Sequence, residues 1–181
     1  MAAGLLAWLC LGLTLLAPVA WSQRCSPPTW QGEGLGENPV AANRGKVVLV
    51  ALMKGYCSYC VSQARKLEAL KTRLASINMP DIAMYIVNGG EEISRSQISN
   101  LVVASSIPVL QDTAEHVMFR SIFRGNKDDF IVYDRCGQMA VAIRHPYSHV
   151  DNGVTERVLK AVYRGPTHLL LFPGHQQTDT T

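Results

Sequence analysis

Cys57 and Cys60, separated by two residues, are the residues best placed in this sequence to do chemistry. They lie where a valine-rich apolar run gives way to a segment whose apolar residues have helical spacing. Free backbone N–H groups and the dipole at a helix N-terminus stabilise an anion, which lowers the pKa of a cysteine there and favours the nucleophilic thiolate. The second cysteine, one helical turn further on, can attack a mixed disulfide or sulfenic acid on the first. We therefore predict that Cys57 attacks and Cys60 resolves.

The same cysteine pair has two other interpretations, half of a zinc site and an inert structural disulfide. A zinc site needs a second Cys or His pair at suitable spacing. The sequence offers none, since Cys25 and Cys136 stand apart and the histidines at 116, 145, 149, 168 and 175 are scattered. The change from strand to helix at the pair favours redox chemistry over both alternatives, and we expect no metal.

Residues 1–22 have the composition of an export signal. They contain no charged residue, and Leu5–Leu16 is almost entirely apolar. About 12 apolar residues are too few for a helix to span a bilayer of about 30 Å, but they suit the apolar part of a signal peptide. Small residues at Ala20 and Ser22 predict cleavage after Ser22, with a membrane anchor as the alternative. We therefore expect a secreted, extracellular protein with no membrane span.

Cleavage would remove Cys10 and leave the remaining cysteines in an oxidising compartment, where disulfides persist. Because secreted proteins rarely leave thiols free, Cys25 and Cys136 are candidates for a structural disulfide that joins the N-terminal segment to a hairpin. The alternative role for Cys136, a second resolving thiol, has less support.

Strand and helix patterns alternate along the rest of the sequence. Strands are predicted at 46–53, 82–87, 107–110, 130–133 and 139–143, and helices at 60–77, 94–103, 113–123 and 154–163. Alternation followed by a hairpin and a last helix predicts an α/β protein of thioredoxin-like fold, with a central mixed sheet and helices on both faces.

Composition and chain length predict one such domain, at residues 46–163. Residues 23–45, rich in proline and glycine, read as an irregular N-terminal segment, and 164–181 as a flexible tail. The 17 basic and 14 acidic residues leave a net charge of +3, which is too small to indicate a nucleic-acid partner. The apolar content of 48 % excludes disorder as the default.

Thioredoxins place a cis-proline before the strand that leads into the final hairpin. Pro108 opens an earlier strand here, so we interpret it as a trans residue at a strand edge. Asp128 and Asp129 stand at the cis-proline position instead. We expect them to form a solvated turn, in preference to a loop that faces the cysteine pair.

Several motifs resemble the N-terminal domain of the selenoprotein P family, over residues 25–163. They are Lys54–Cys60, Gln63–Glu68, Tyr85–Asn88, Ile107–Val109 and, most specifically, Lys127–Gly137. The resemblance implies an extracellular thioredoxin-like redox domain with peroxide-reducing capacity and a role in selenium supply.

In that family the position of Cys57 holds selenocysteine. Two alternatives are open for this sequence: a cysteine form of the family, or selenium present as selenocysteine at position 57 and written as cysteine. After Tyr163 there is no cysteine, His-rich run or basic cluster, so we expect no selenium-carrying tail. A weaker resemblance links Asn126 to the asparagine of glutathione peroxidase sites, although Gly125 replaces the neighbouring tryptophan.

These observations predict a secreted redox protein that reduces peroxides or protein disulfides through Cys57 and Cys60, with an external thiol as reductant. Supporting residues are expected at Tyr56, Ser58, Tyr59, Asn126 and Asp129. The alternative function is an extracellular selenium-binding or transport protein, recognised by a cell-surface receptor, whose cysteine pair is oxidised and silent.

Overall fold

A computed structural model of the protein describes residue 25, residues 27–28 and residues 38–165. The predicted export signal lies outside the described residues, as do most of the predicted N-terminal segment and nearly all of the predicted tail. Among the residues described, no helix is both long and apolar enough to cross a membrane.

A five-stranded mixed sheet forms the centre of the described chain. Its strands are β1 (Val47–Met53), β2 (Ile82–Asn88), β3 (Val109–Gln111), β4 (Phe130–Tyr133) and β5 (Met139–Ile143), in the order β3-β2-β1-β4-β5. Strand β1 pairs in parallel with β2 and antiparallel with β4, and β4 and β5 form the predicted hairpin. Every residue of β1 is buried, because the strand is central and both faces of the sheet are covered.

Five α-helices and two turns of other helical types complete the secondary structure of the described residues. The helices are α1 (Pro39–Ala42), α2 (Ser58–Ser76), α3 (Glu92–Ser96), α4 (Ser99–Ala104) and α5 (Val154–Arg164), with a π-helical turn at Met118–Ile122 and a 3₁₀ turn at Val150–Asn152. The predicted α/β architecture is confirmed.

Two hydrophobic clusters pack against opposite faces of the sheet, since alternate side chains of a strand point to opposite sides. One face carries Leu49 and Met53 of β1 beneath α2, α4 and α5. The other carries Val48 and Leu52 beneath α1 and the π-helical turn. Helix α2 therefore has its buried face against the sheet, which fixes the position of its N-terminus.

Two helix predictions were wrong for one physical reason, side-chain hydrogen bonds to the backbone. The helix expected at 94–103 is divided into α3 and α4, and Ser94 lies within α3. The Ser94 hydroxyl donates to Asn88 Oδ1 (2.7 Å) and accepts from the Gly55 N–H (3.1 Å). The helix expected at 113–123 is only the π-helical turn, whose first N–H groups donate to buried Asp112.

The segment predicted to be irregular contains the short helix α1. Asn38 caps it, accepting from the N–H groups of Val40 (3.0 Å) and Ala41 (3.2 Å), and Pro39 is its first residue. Asparagine before proline is a helix start signal, because the cap satisfies free N–H groups and proline supplies a helical φ.

Candidate functional site

Cys57 lies at the junction between β1 and α2, as its position in the sequence predicted. It is the N-cap of α2, and its sulfur accepts from the Cys60 N–H at 3.4 Å. The thiol is free and partly exposed. Its sulfur therefore faces the first turn of a 19-residue helix, where negative charge is favoured.

The turn before Cys57 is held from both sides by side chains of other elements. The Gly55 N–H donates to Asn88 Oδ1 (2.8 Å), and the Gly55 carbonyl accepts from Asn100 Nδ2 (3.1 Å). A side chain at Gly55 would meet backbone, because a Cβ there would lie 2.4 Å from the Gln97 carbonyl oxygen. Glycine is therefore required for the chain to pass between β1 and the α3–α4 connection.

Cys60 is buried beneath the first turn of α2 and differs chemically from Cys57. It is free, and its thiol donates to Asp128 Oδ1 at 3.1 Å. Burial is the main cause that raises the pKa of Cys60, with further contributions from its hydrogen bond to Cys57 and from the charge of Asp128. Cys60 is therefore a neutral thiol near pH 7, with a carboxylate in position to accept its proton.

The expectation that Asp128 and Asp129 form a solvated turn was wrong, because both are buried, with 5 % and 2 % of their surface exposed. Their charges are paired within the fold. Asp128 forms an ion pair with Lys127, and Asp129 accepts from Arg144 Nη1 (2.7 Å) and the His145 N–H (3.0 Å). The Asp128 N–H donates to the Leu52 carbonyl (2.7 Å), which joins this loop to β1.

Lys127 places a positive charge beside Cys57. Its Nζ lies 3.8 Å from Cys57 Sγ and 5.8 Å from the centre of the Tyr59 ring. Burial lowers the pKa of Lys127, but the hydrogen bond and charge of Asp128 outweigh this effect and raise it. The ammonium group would stabilise negative charge on the Cys57 sulfur.

Tyr59 lies between the cysteines and packs against two histidines. Its ring centre is 5.9 Å from that of His145 and 5.7 Å from that of His149. The hydroxyl is buried and has no hydrogen-bond partner among the described residues. Burial, followed by the charge of Asp128, raises the pKa of Tyr59. The phenol is therefore neutral at physiological pH.

The other predicted supporting residues occupy different positions. Tyr56 and Ser58 line a groove of about 490 Å³ between α2 and α4, together with Val61, Arg65, Asn100 and Val103. The side chain of Asn126 is exposed, and its backbone N–H donates to Asp129 Oδ2 (2.8 Å). This backbone hydrogen bond helps to hold the loop that carries Lys127 and Asp128, and it would not depend on the asparagine side chain.

The supporting residues predicted from the sequence did not include Lys127 and Asp128, which contact the cysteines, or His145 and His149, which pack against Tyr59. The available signal was the position of Lys127 and Asp128 just before the strand that leads into the hairpin. The spacing of the histidines along the sequence did not indicate that any of them lies near Cys57. His145 follows β5 and reaches Tyr59 only because the sheet brings these distant parts of the sequence together.

The predicted structural pair, Cys25 and Cys136, forms a disulfide in the structure. Its Cα atoms are 4.4 Å apart and its members are separated by 111 positions. Gly137, at a φ of +77°, follows Cys136 and packs against Pro27. The disulfide joins the N-terminal segment to the β4–β5 turn and leaves Cys57 and Cys60 as the free cysteines of the described residues.

The sequence is similar to a family of known proteins. Residues 21–167 match the family model described as "Selenoprotein P, N terminal region". Selenoprotein Pb of Danio rerio is 34 % identical over 145 residues, covering 78 % of this chain and 54 % of that protein. Human selenoprotein P is 31 % identical over 139 residues, covering 76 % and 36 %. The chain thus spans about a third to a half of the length of these relatives.

Solved structures establish the fold. A thioredoxin-like protein in its oxidised form matches 76 % of this chain and 93 % of its own, with a TM-score of 0.59 and 15 % identity. A thiol:disulfide interchange protein of Chlorobium tepidum matches 76 % and 94 %, with a TM-score of 0.51 and 22 % identity. The predicted thioredoxin-like fold is confirmed. With this fold, and with a free Cys57–Cys60 pair where its first long helix begins, the chain belongs to the selenoprotein P family, whose N-terminal region it contains.

Proposed function

We propose that this protein is a thiol-dependent reductase of peroxides or protein disulfides, with Cys57 as nucleophile and Cys60 as resolving thiol. The observation that carries the proposal is the unequal environment of the two sulfurs. Cys57 is partly exposed at a helix N-terminus with the Lys127 ammonium 3.8 Å away, whereas Cys60 is buried and donates to Asp128. One sulfur can meet a substrate, and the other can meet only its partner.

With a peroxide, the Cys57 thiolate attacks one oxygen and the O–O bond breaks. Cys57 becomes a sulfenic acid, and the other oxygen takes a proton and leaves as alcohol or water. Cys60 then passes its proton to Asp128 and attacks the Cys57 sulfur. The S–S bond forms as hydroxide leaves with that proton as water. The pair has supplied two electrons, and an external thiol must reduce the disulfide.

With a protein disulfide, Cys57 attacks one substrate sulfur and forms a mixed disulfide. The released substrate thiolate takes a proton from solvent. Cys60 gives its proton to Asp128 and attacks Cys57, and the second substrate sulfur leaves as a thiolate that takes this proton. Asp128 lies 3.1 Å from the Cys60 sulfur, within reach of the proton that must be removed in either reaction.

The proposal also includes export of the protein from the cell, and it holds with either sulfur or selenium at position 57. Residues 1–22 would be removed after Ser22 on export, which N-terminal sequencing of protein from culture medium would test. Intact-mass measurement of the natural protein distinguishes sulfur from selenium at position 57. A selenolate is ionised at neutral pH and more nucleophilic than a thiol, so selenium would raise the rate without changing the role.

The proposed activity is tested by steady-state reduction of hydrogen peroxide and of insulin disulfides with a thiol reductant. We expect Cys57→Ser to abolish both activities. The control variant is Ser76→Ala, on an exposed position at the far end of the same helix, which should retain full activity. If Cys57→Ser and wild type have equal rates, the proposal is wrong, and a binding protein with a silent cysteine pair becomes the better explanation.

A further inference from the structure

The two cysteine sulfurs and the Asp128 carboxylate lie close enough together to bind one metal ion. The sulfurs of Cys57 and Cys60 and a carboxylate oxygen of Asp128 all lie within 4.8 Å of one another. The two sulfurs come from one turn of α2, and the carboxylate comes from the loop that leads into β4. Both thiols are free, as ligation requires.

The donor types and distances suit a thiophilic divalent cation. Thiolates bind Zn²⁺ and its heavier analogue Cd²⁺ strongly, and a carboxylate is a common third ligand of zinc. Tetrahedral zinc with bonds of about 2.3 Å holds two sulfurs about 3.8 Å apart. The donor atoms of the site are therefore close enough to converge on one ion after small side-chain movements.

Lys127 gives independent support, since it shows that the site already attracts a positive charge. Its ammonium forms an ion pair with Asp128 and lies 3.8 Å from Cys57 Sγ. The Lys127 side chain is 39 % exposed, so it can swing into solvent. A metal ion at the site would replace the ammonium and satisfy the same two groups.

We propose that the reduced Cys57–Cys60 pair binds one Zn²⁺-class ion, with Asp128 as third ligand and the fourth position open to water. An open site of this kind needs three protein ligands, so it does not require the second cysteine or histidine pair that the sequence lacks. As the S–metal bonds form, Cys60 releases its proton to solvent, and so does any protonated Cys57. Lys127 keeps its proton and moves out. Both sulfurs remain reduced and no electron is transferred. Bound metal blocks attack by Cys57, so metal occupancy would regulate the redox activity proposed above, on which this regulatory role rests.

Zinc binding is tested on the full chain with Cys25–Cys136 intact and two free thiols confirmed by titration. A chromophoric chelator competes for Zn²⁺ in the absence of any redox substrate. We expect one ion per chain, with binding lost in Cys57→Ser and in Cys60→Ser. Asp128→Asn should weaken the affinity at least tenfold, whereas Asp81→Asn, which changes an exposed carboxylate, should leave it unchanged.

Lys127→Met separates metal binding from redox chemistry, because the two proposals require opposite effects. Removing the competing ammonium should tighten zinc binding severalfold, while the rate of disulfide or peroxide reduction should fall. The metal proposal is overturned if wild type binds no ion at one equivalent, or if Asp128→Asn and Lys127→Met both bind zinc as wild type does. Loss of reductase activity in every assay would defeat the proposed function without affecting the zinc titration.

Discussion

At the scale of single residues, the two cysteines of the site differ because they have different neighbours. Cys57 faces the helix N-terminus and Lys127, whereas Cys60 faces the buried Asp128. From the spacing of the cysteines we predicted that Cys57 attacks and Cys60 resolves, and these roles remain a proposal. The sequence could not show the surroundings that make the roles unequal, because Asp128 lies 68 positions beyond Cys60.

We predict that Asp128→Asn lowers the pKa of Cys60. Burial is the main cause of its raised pKa and remains in the variant, but the charge of Asp128, which adds to the rise, is removed. The ultraviolet absorbance of the Cys60 thiolate, which needs no reagent to reach the buried sulfur, should therefore appear at lower pH. The measurement compares Cys57→Ser with Cys57→Ser/Asp128→Asn, so that Cys60 is the free thiol that titrates, and Asp81→Asn serves as the control. A profile that stays in place or moves to higher pH would contradict this role of Asp128.

Buried acidic residues were the least predictable part of the site. Asp129 can lie inside because Arg144 and the His145 N–H neutralise and satisfy its carboxylate. Those partners follow 15 and 16 positions later, on the far side of the hairpin. Two adjacent aspartates in a sequence usually indicate a surface turn, because carboxylates without a charged or hydrogen-bonding partner are rarely buried.

At the scale of elements, the junction of β1 and α2 determines where Cys57 lies. Strands β1, β4 and β5 and helices α2 and α5 were predicted within two residues of their bounds, because each has a clear apolar period. The segments at 94–103 and 113–123 were predicted poorly. In these segments the side chains of Ser94 and Asp112 form hydrogen bonds with backbone N–H groups. The spacing of apolar residues along a sequence does not reveal such bonds.

We predict that Gly55→Ala destabilises the protein and reduces its redox rate. The new Cβ would lie 2.4 Å from the Gln97 carbonyl oxygen and 2.9 Å from that of Ser94, both of which are backbone atoms. Overpacking of this kind costs about 1–3 kcal/mol. Denaturant unfolding of the reduced variant measures the change in free energy.

The matched control for this variant is Gly89→Ala. Its added methyl would meet two flexible side chains, those of Glu91 and Lys54, which can shift together while their ion pair is kept, whereas the atoms that face Gly55 are backbone. We therefore expect Gly89→Ala to have a clearly smaller effect than Gly55→Ala. Equal effects of the two substitutions would mean that the contact with the α3–α4 connection does not constrain the turn.

At the scale of the whole molecule, the Cys25–Cys136 disulfide and the Cys57–Cys60 pair lie in different parts of the fold. Cys25–Cys136 holds the N-terminal segment against the β4–β5 turn, and Cys57 and Cys60 lie at the β1–α2 junction. One pair of cysteines is thus bonded and the other, in the part of the chain that the structure describes, is free.

We predict that replacing Cys25 and Cys136 together by serine lowers the free energy of unfolding by about 2–5 kcal/mol, because a cross-link that closes a long loop restricts the unfolded chain. The loop here spans 111 positions. Denaturant unfolding should show the loss, while the alkylation rate of Cys57 under native conditions should be unchanged. An unaltered unfolding midpoint would show that this bond does not stabilise the fold.

The most direct test of the unequal roles of the cysteines is to trap the intermediate. Cys60→Ser cannot resolve a mixed disulfide, so after exposure to insulin it should accumulate a covalent adduct. Peptide mass spectrometry should locate the linkage at Cys57. Cys57→Ser, treated in the same way, should form no such adduct, because Cys60 is buried. An adduct through Cys60 in that variant, or none through Cys57 in Cys60→Ser, would contradict the account.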